Sequence, residues 1–198
     1  MNVAVVDYGV GNVASLMGAL ERAGVRARLD ADVSHALRAD AIVLPGVGAF
    51  DAAASQLGAH RDVIRDRLST GMRCLGICLG MQLLFDGSDE GVERGIGFFA
   101  GRVTRLSANR VPQMGWNTLD ECRDTSFAAA GMERAYFANS FACRPDSSGI
   151  VTAWSTHGAD RFAAAVRVAG VTGVQFHPEK SSAPGIAWLR SFFAGDTT

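Results

Sequence analysis

The chain has 198 residues, 48% of them hydrophobic, and a formal charge of -1. It is long enough to bury a full core and reads as one domain, residues 1–198, and the near-neutral balance without a basic block or arginine-aromatic stripe argues against a surface that tracks nucleic acid. No basic segment followed by a long apolar stretch opens it, and nowhere do about 18 uncharged apolar residues run together, so no membrane partner and a cytoplasmic location are expected.

The first half alternates short apolar runs with helical patterns. "NVAVVD" reads as a strand, Val13, Leu16, Met17 and Leu20 share one helix face, "VRARL" is a second strand, and after a polar segment "AIVLP" is a third. "GAFDAAASQLGAHRDVIRDRL" supplies one or two helices, "RCLGIC" the next buried strand and "LGMQLLF" the next helix. This is the rhythm of an α/β domain with a mostly parallel sheet flanked by helices.

From Phe98 the pattern turns β-rich, with strand-like runs "FFAGRVTRL", "PQMGWNTL", "RAYFANSF", "IVTAWST", "RFAAAVRV" and "VTGVQF". In "RFAAAVRV", Phe162, Ala164, Val166 and Val168 alternate with Arg161, Ala163, Ala165 and Arg167, as in a strand with one face toward solvent. "SSAPGIAWLRSFF" closes the chain as a helix, with Ser182 as cap, Pro184 in the first turn and Ile186, Leu189 and Phe193 facing inward.

Two glycine motifs carry different implications. "VVDYGVGNVA" sets Gly9, Gly11 and Ala14 between strand and helix, with Asp30 19 residues beyond Gly11, close to a dinucleotide fingerprint. Hydride transfer with a nicotinamide cofactor is therefore one reading, and a tight turn is the other, favoured by the polar pair Asp7-Tyr8 ahead of the glycines. "LPGVGAF" puts Gly46 and Gly48 after a buried strand, where backbone N–H groups can be aimed at an anion or a developing oxyanion, or where the chain simply turns.

The four cysteines, Cys74, Cys78, Cys122 and Cys143, lack the paired spacings of a zinc site and read as reduced thiols. Cys78 stands apart. "GICLG" has the form of a nucleophile elbow, a strained strand-to-helix turn in which small neighbours make room for the central side chain. The positive end of the following helix favours the thiolate, and the Leu79 N–H is a natural oxyanion donor.

A thiol nucleophile needs a base. "GVQFHPEKS" offers His177 at the end of the last strand, 99 residues beyond Cys78. Pro178 biases His177 to an extended conformation, and residues i and i+2 then project to one side, so Glu179 reaches the far ring nitrogen. A redox-sensing thiol on a non-catalytic module is the competing reading, but it gives "HPE" and Gln82 no role. His35, His60 and His157 have no such company.

"PGVGAF", "GICLGMQ" and "GVQFHPEKS", in this order and spacing, resemble the class I, triad-type glutamine amidotransferases over essentially the whole chain. The resemblance implies their flavodoxin-like fold and their reaction: Cys78 attacks the side-chain amide of glutamine, His177 protonates the departing ammonia, Glu179 orients His177, and water hydrolyses the glutamyl thioester. It implies oxyanion donors at Leu79 and at Val47 or Gly48. Gln82, Asn139, Ser140 and Phe141 match positions that hold glutamine, and no cofactor or metal is implied.

These motifs suit any pathway fed with ammonia from glutamine. "DYGVGN", "VPQMGWN" and "EKS" resemble one branch more closely, the glutaminase subunits of imidazole glycerol phosphate synthases in histidine biosynthesis. That likeness implies a heterodimer with a (β/α)8-barrel cyclase, allosteric activation and an ammonia channel. It implies a partner surface with Asn12, Pro112, Met114, Trp116, Asn117 and Lys180. Lys180 is the only lysine among 19 cationic residues, which suits a point charge reserved for an ion pair. Asn139 and Gln113 stand where the family often has histidine.

Overall fold

The computed structural model describes residues 1–9 and 13–194. In chain order the elements are β1 (Val3–Val6), α1 (Val13–Arg22), β2 (Ala27–Asp30), α2 (Val33–Ala36), β3 (Ala41–Leu44), α3 (Phe50–Leu57), α4 (Arg61–Ser69), β4 (Arg73–Ile77), α5 (Leu79–Leu83) and β5 (Gly87–Ser88). The second half contributes β6 (Gly101–Arg105), β7 (Gln113–Thr118), α6 (Thr125–Ala129), β8 (Arg134–Asn139), β9 (Phe141–Pro145), β10 (Val151–His157), β11 (Asp160–Val168), β12 (Val171–Val174) and α7 (Ser182–Ala194).

Seven strands form the main sheet in the order β10-β11-β12-β4-β3-β1-β2. The strands from β12 to β2 run parallel, and β10 and β11 extend the sheet antiparallel. Strand periodicity sorts the side chains into two layers. Ala4, Val6, Ile42, Leu44 and Cys74 pack with Phe50, Leu57, Ile64 and Leu68 of α3 and α4. Val3, Val5, Val43, Leu75 and Ile77 pack with Leu16 and Leu20 of α1 and with Trp188, Leu189 and Phe193 of α7. Each such Val, Leu, Ile or Phe side chain fully removed from water contributes roughly 1.5–3 kcal/mol before conformational entropy is charged against it. No helix among the described residues is long and apolar enough to cross a membrane.

Four features depart from the sequence reading. The polar segment after β2 holds a short helix, α2, whose start is capped by Asp32 accepting from the N–H groups of Ser34 and His35. In β11 the alternation fails: Ala163 and Ala165 are as buried as Phe162 and Ala164, while Val168 is exposed. This strand lies between β10 and β12 with layers on both faces, and its register against β10 shifts near Ala153. "RAYFANSF" is two strands rather than one, because the chain changes sheet at Ser140: β8 pairs with β7, and β9 pairs with β6. Ser182 begins α7 at φ 56, and the largest inward side chain of that helix is Trp188, which donates to the Ser126 hydroxyl.

Candidate active site

The carboxyl ends of three adjacent parallel strands, β12, β4 and β3, converge at one edge of the main sheet. Parallel strands end at the same side, and that is where α/β sheets place their ligands. β4 delivers Cys78, β12 leads into His177, and β3 leads into Pro45–Gly48. The Cys78 N–H donates to the Val174 carbonyl at 2.7 Å, so the elbow is tied to the strand that carries the histidine.

Cys78 has φ 52 and ψ -105, a conformation an L-residue adopts only where its surroundings force it. The glycines explain how the turn fits. A Cβ on Gly80 would stand 1.8 Å from the Leu44 carbonyl oxygen, and one on Gly76 would stand 2.7 Å from the Gly80 carbonyl oxygen. α5 can therefore pack against β3 only with no side chain at Gly80.

The imidazole of His177 is buried, and its Nδ1 lies 2.7 Å from Glu179 Oε1. Nε2 is buried without a hydrogen-bond partner of its own. Burial alone would lower the pKa of His177, but the side chains of Cys78 and Glu179 outweigh it and raise the pKa to about 10. The backbone around the histidine is fixed on both sides: its N–H donates to the Tyr136 carbonyl at 2.8 Å, and its carbonyl accepts from the Ser181 hydroxyl at 2.7 Å. Cys74 is also buried, and burial pushes its thiol far up, so it packs as a neutral core residue.

The Pro45–Gly48 segment presents a carbonyl where a donor was expected. The Leu79 N–H donates to the Gly46 carbonyl at 3.4 Å. That carbonyl belongs to the peptide carrying the Val47 N–H, and the two groups of a trans peptide point to opposite sides, so the Val47 N–H is turned away from Leu79. Gly48 follows at φ 131. The Leu79 and Val47 N–H groups are thus not assembled as a pair in this conformation.

A cleft of about 240 Å³ opens over Cys78, with Val47, Gly48, Leu79, Gln82, Ala138 and the Asn139–Phe141 corner among its walls. The Gln82 amide donates to the Phe141 carbonyl and to Gln175 Oε1, both at 3.2 Å. Asn139 also donates to the Phe141 carbonyl, at 2.9 Å, and its Oδ1 is buried without a partner. Ser140 takes part through its backbone carbonyl, which accepts from the Leu106 N–H at 2.9 Å.

Glu90, Arg105 and Ala138 in the cleft walls, and Gln175 beneath them, escaped the sequence reading. Gln175 is fully buried and donates to Cys78 Sγ at 3.4 Å, linking Gln82 to the thiol. A glutamine inside the apolar run "GVQF" was the available signal. Glu90 and Arg105 bring opposite charges to the walls, and Glu90 also accepts from the Phe50 N–H at 3.0 Å. They arrive on loops and strand ends with no local motif.

The β7–β8 hairpin carries most of the expected partner surface. Met114 is 64% and Trp116 45% exposed on one face, beside Tyr136, and Lys180 Nζ lies 5.7 Å from the Tyr136 ring centre. Pro112 is exposed at the start of the hairpin. Asn117 departs from this group: its amide donates to the Thr156 carbonyl of β10 at 2.8 Å, tying the hairpin to the main sheet. Gln113 stands opposite Asn139 across the hairpin, and both ends of its buried amide lack a partner. Asn12 lies outside the described residues. So does Gly11 of the dinucleotide-like motif, and Asp30, which that motif would need for a ribose, is engaged by Arg28 at 3.1 Å and His35 at 2.6 Å. Burial opposes the Asp30 charge, yet the Arg28 and His35 bonds hold its carboxyl below its usual range.

The family description "Glutamine amidotransferase class-I" matches residues 4–195. The chain belongs to the class I glutamine amidotransferases. Among curated relatives of this amidotransferase, an imidazole glycerol phosphate synthase subunit HisH of Thermosynechococcus vestitus is 40% identical over 97% of this chain and 96% of its own length. The subunit of the same name from Corynebacterium glutamicum is 41% identical over 96% of each chain. A solved glutamine amidotransferase shares the fold with a TM-score of 0.73 at 21% identity, over 96% of this amidotransferase and 98% of its own chain. PurLQS from Thermotoga maritima does so with a TM-score of 0.71 at 20% identity, over 98% and 97%.

Proposed function

We propose that this amidotransferase is the glutaminase subunit of an imidazole glycerol phosphate synthase, with Cys78 as nucleophile, His177 as acid-base group and Glu179 as its orienting carboxylate. The observation that carries the assignment is the strained Cys78 elbow on β4 next to the strand that leads into the His177–Glu179 pair, held at 2.7 Å; Cys78 lines the cleft, and His177 and Glu179 line a smaller pocket behind the Pro45–Val47 segment. The near-full-length likeness to HisH subunits supports the pathway.

Cys78 Sγ adds to the glutamine side-chain carbonyl. His177 passes a proton to the departing nitrogen, ammonia leaves, and water cleaves the thioester to glutamate. Glu179 keeps the proton of His177 on Nδ1 and leaves Nε2 toward the reacting atoms. Gln82 and the Asn139–Phe141 corner hold the substrate, and Glu90 and Arg105 suit the ammonium and carboxylate of an amino acid. Leu79 supplies one oxyanion donor. The second is the Val47 N–H, which reaches the site when the Gly46–Val47 peptide turns over, and a donor of this kind is worth roughly 3–4 kcal/mol.

The ammonia goes to a (β/α)8-barrel cyclase, which makes imidazole glycerol phosphate and 5-aminoimidazole-4-carboxamide ribonucleotide. Transfer inside the complex has a chemical reason, since ammonium formed in water has no lone pair for attack. Pro112, Met114, Trp116 and Lys180 form the docking face. The test is glutamate release by the chain alone and with the cyclase loaded with its nucleotide substrate. Release only in the loaded complex is expected; equally fast release by the isolated chain would refute partner control, and none in either would refute the glutaminase assignment.

A further inference from the structure

Tyr8 has no part in the reaction steps above. It lies past the end of β1 with only 5% of its surface exposed, and its hydroxyl donates to the Pro45 carbonyl. The contact follows from sheet order: β1 and β3 are neighbours, with Val3 opposite Ala41, so the residues beyond their carboxyl ends come side by side. Two successive carbonyls of the Pro45–Gly48 segment are consequently held by different groups, Pro45 by the Tyr8 phenol and Gly46 by the Leu79 N–H.

We propose that Tyr8 is a positioning residue for the oxyanion hole, its hydroxyl holding the Pro45 carbonyl as the fixed pivot about which the Gly46–Val47 peptide turns. The proposal rests on the glutaminase reading. Turning that peptide plane needs rotation only about ψ of Gly46 and φ of Val47, and neither displaces the Pro45 oxygen. The proline ring already fixes φ at Pro45. Tyr8 removes the remaining freedom before the pivot.

The two bonds are also unequal. The Leu79–Gly46 bond, at 3.4 Å, is longer than the usual 2.7–3.2 Å of an N–H···O bond, so it is the one that yields. The Tyr8 bond is shielded from water, and burial pushes the phenol well above its ordinary pKa. Tyr8 therefore remains a donor wherever the enzyme works. Without it the Pro45–Gly46 peptide co-rotates, and a smaller fraction of molecules presents the Val47 N–H.

The experiment uses Tyr8→Phe in the full complex with the cyclase loaded with its nucleotide substrate. The kcat for glutamine hydrolysis should fall about fivefold, the loss of one hydrogen bond, with KM within about twofold of the wild type. Ammonia-driven synthesis should be unchanged. Alkylation of Cys78 by iodoacetamide, followed by mass spectrometry, should also be unchanged, because displacement at a saturated carbon forms no oxyanion. An unchanged kcat, a loss confined to KM, or a rise in glutaminase activity without the partner would overturn the pivot. A variant that fails to fold, or that loses alkylation and ammonia-driven synthesis as well, would assign Tyr8 to stability and overturn it too. Failure of the wild-type complex to hydrolyse glutamine would instead overturn the glutaminase reading.

Discussion

On the β4–β12 side of the cleft, each proposed catalytic group is held by short bonds: Cys78 N–H to Val174 at 2.7 Å, His177 N–H to Tyr136 at 2.8 Å and His177 Nδ1 to Glu179 at 2.7 Å. On the β3 side, Val47 is 37% exposed, Gly48 sits at φ 131, and the one bond to the elbow is 3.4 Å long. The proposed nucleophile and base are thus built into the sheet, whereas the proposed second oxyanion donor sits where the chain leaves the core and is exposed from Val47 to Ala49. In the proposed reading the thiol is held ready while stabilisation of the tetrahedral intermediate is withheld. That division suits a subunit whose product is wasted when no acceptor is bound.

The comparison can be broken most completely on the rigid side. Cys78→Ala should lower glutamine-driven turnover at least about 10⁴-fold while ammonia-driven synthesis by the complex persists, measured as glutamate release and cyclase product. The next effect belongs to the flexible side. If one donor is missing at rest, binding the loaded cyclase should raise the glutaminase rate by about 10²–10³-fold, read in the same assay with and without partner.

Gly80→Ala asks whether the elbow tolerates any side chain against β3. With its Cβ 1.8 Å from the Leu44 oxygen, it should destabilise the fold by about 3 kcal/mol in urea unfolding. A milder probe is pH. His177 is raised from 6.5 to about 10 in the folded chain, so its contribution to stability is complete below the unfolded value and is lost as pH rises toward 10. His177→Ala should flatten that part of the stability profile, and Cys78→Ala should lower the His177 pKa followed by NMR. The smallest effect is expected at the surface: Trp116→Ala should weaken cyclase binding by about 1–2 kcal/mol in calorimetry, with little change in unfolding.

Cys78, His177 and Glu179 were legible in the sequence because each sits in a short motif whose local geometry limits what the side chain can do. The structure brings these three together. Gln175 was not legible, since its place between Gln82 and Cys78 depends on β12 lying next to β4. Glu90 and Arg105 reach the cleft by long-range chain return, which no local spacing encodes. The break at Ser140 was missed because "RAYFANSF" has continuous strand propensity and only pairing with two different partners divides it. The burial of Ala163 and Ala165 was missed because alternation reports the side chains of one strand and is blind to the layers packed above and below it.

By itself the sequence determined the alternation of strands and helices, the two glycines that make the Cys78 turn possible, and the motif that sets Glu179 beside His177, all of which follow from backbone sterics within a few residues. The tertiary structure alone decided which strand ends meet, that Gln175 joins the thiol, and that the Gly46 carbonyl occupies the Leu79 N–H. These are weak contacts between distant segments, and a peptide plane that begins at a glycine has no local preference strong enough to fix its orientation before the sheet is assembled.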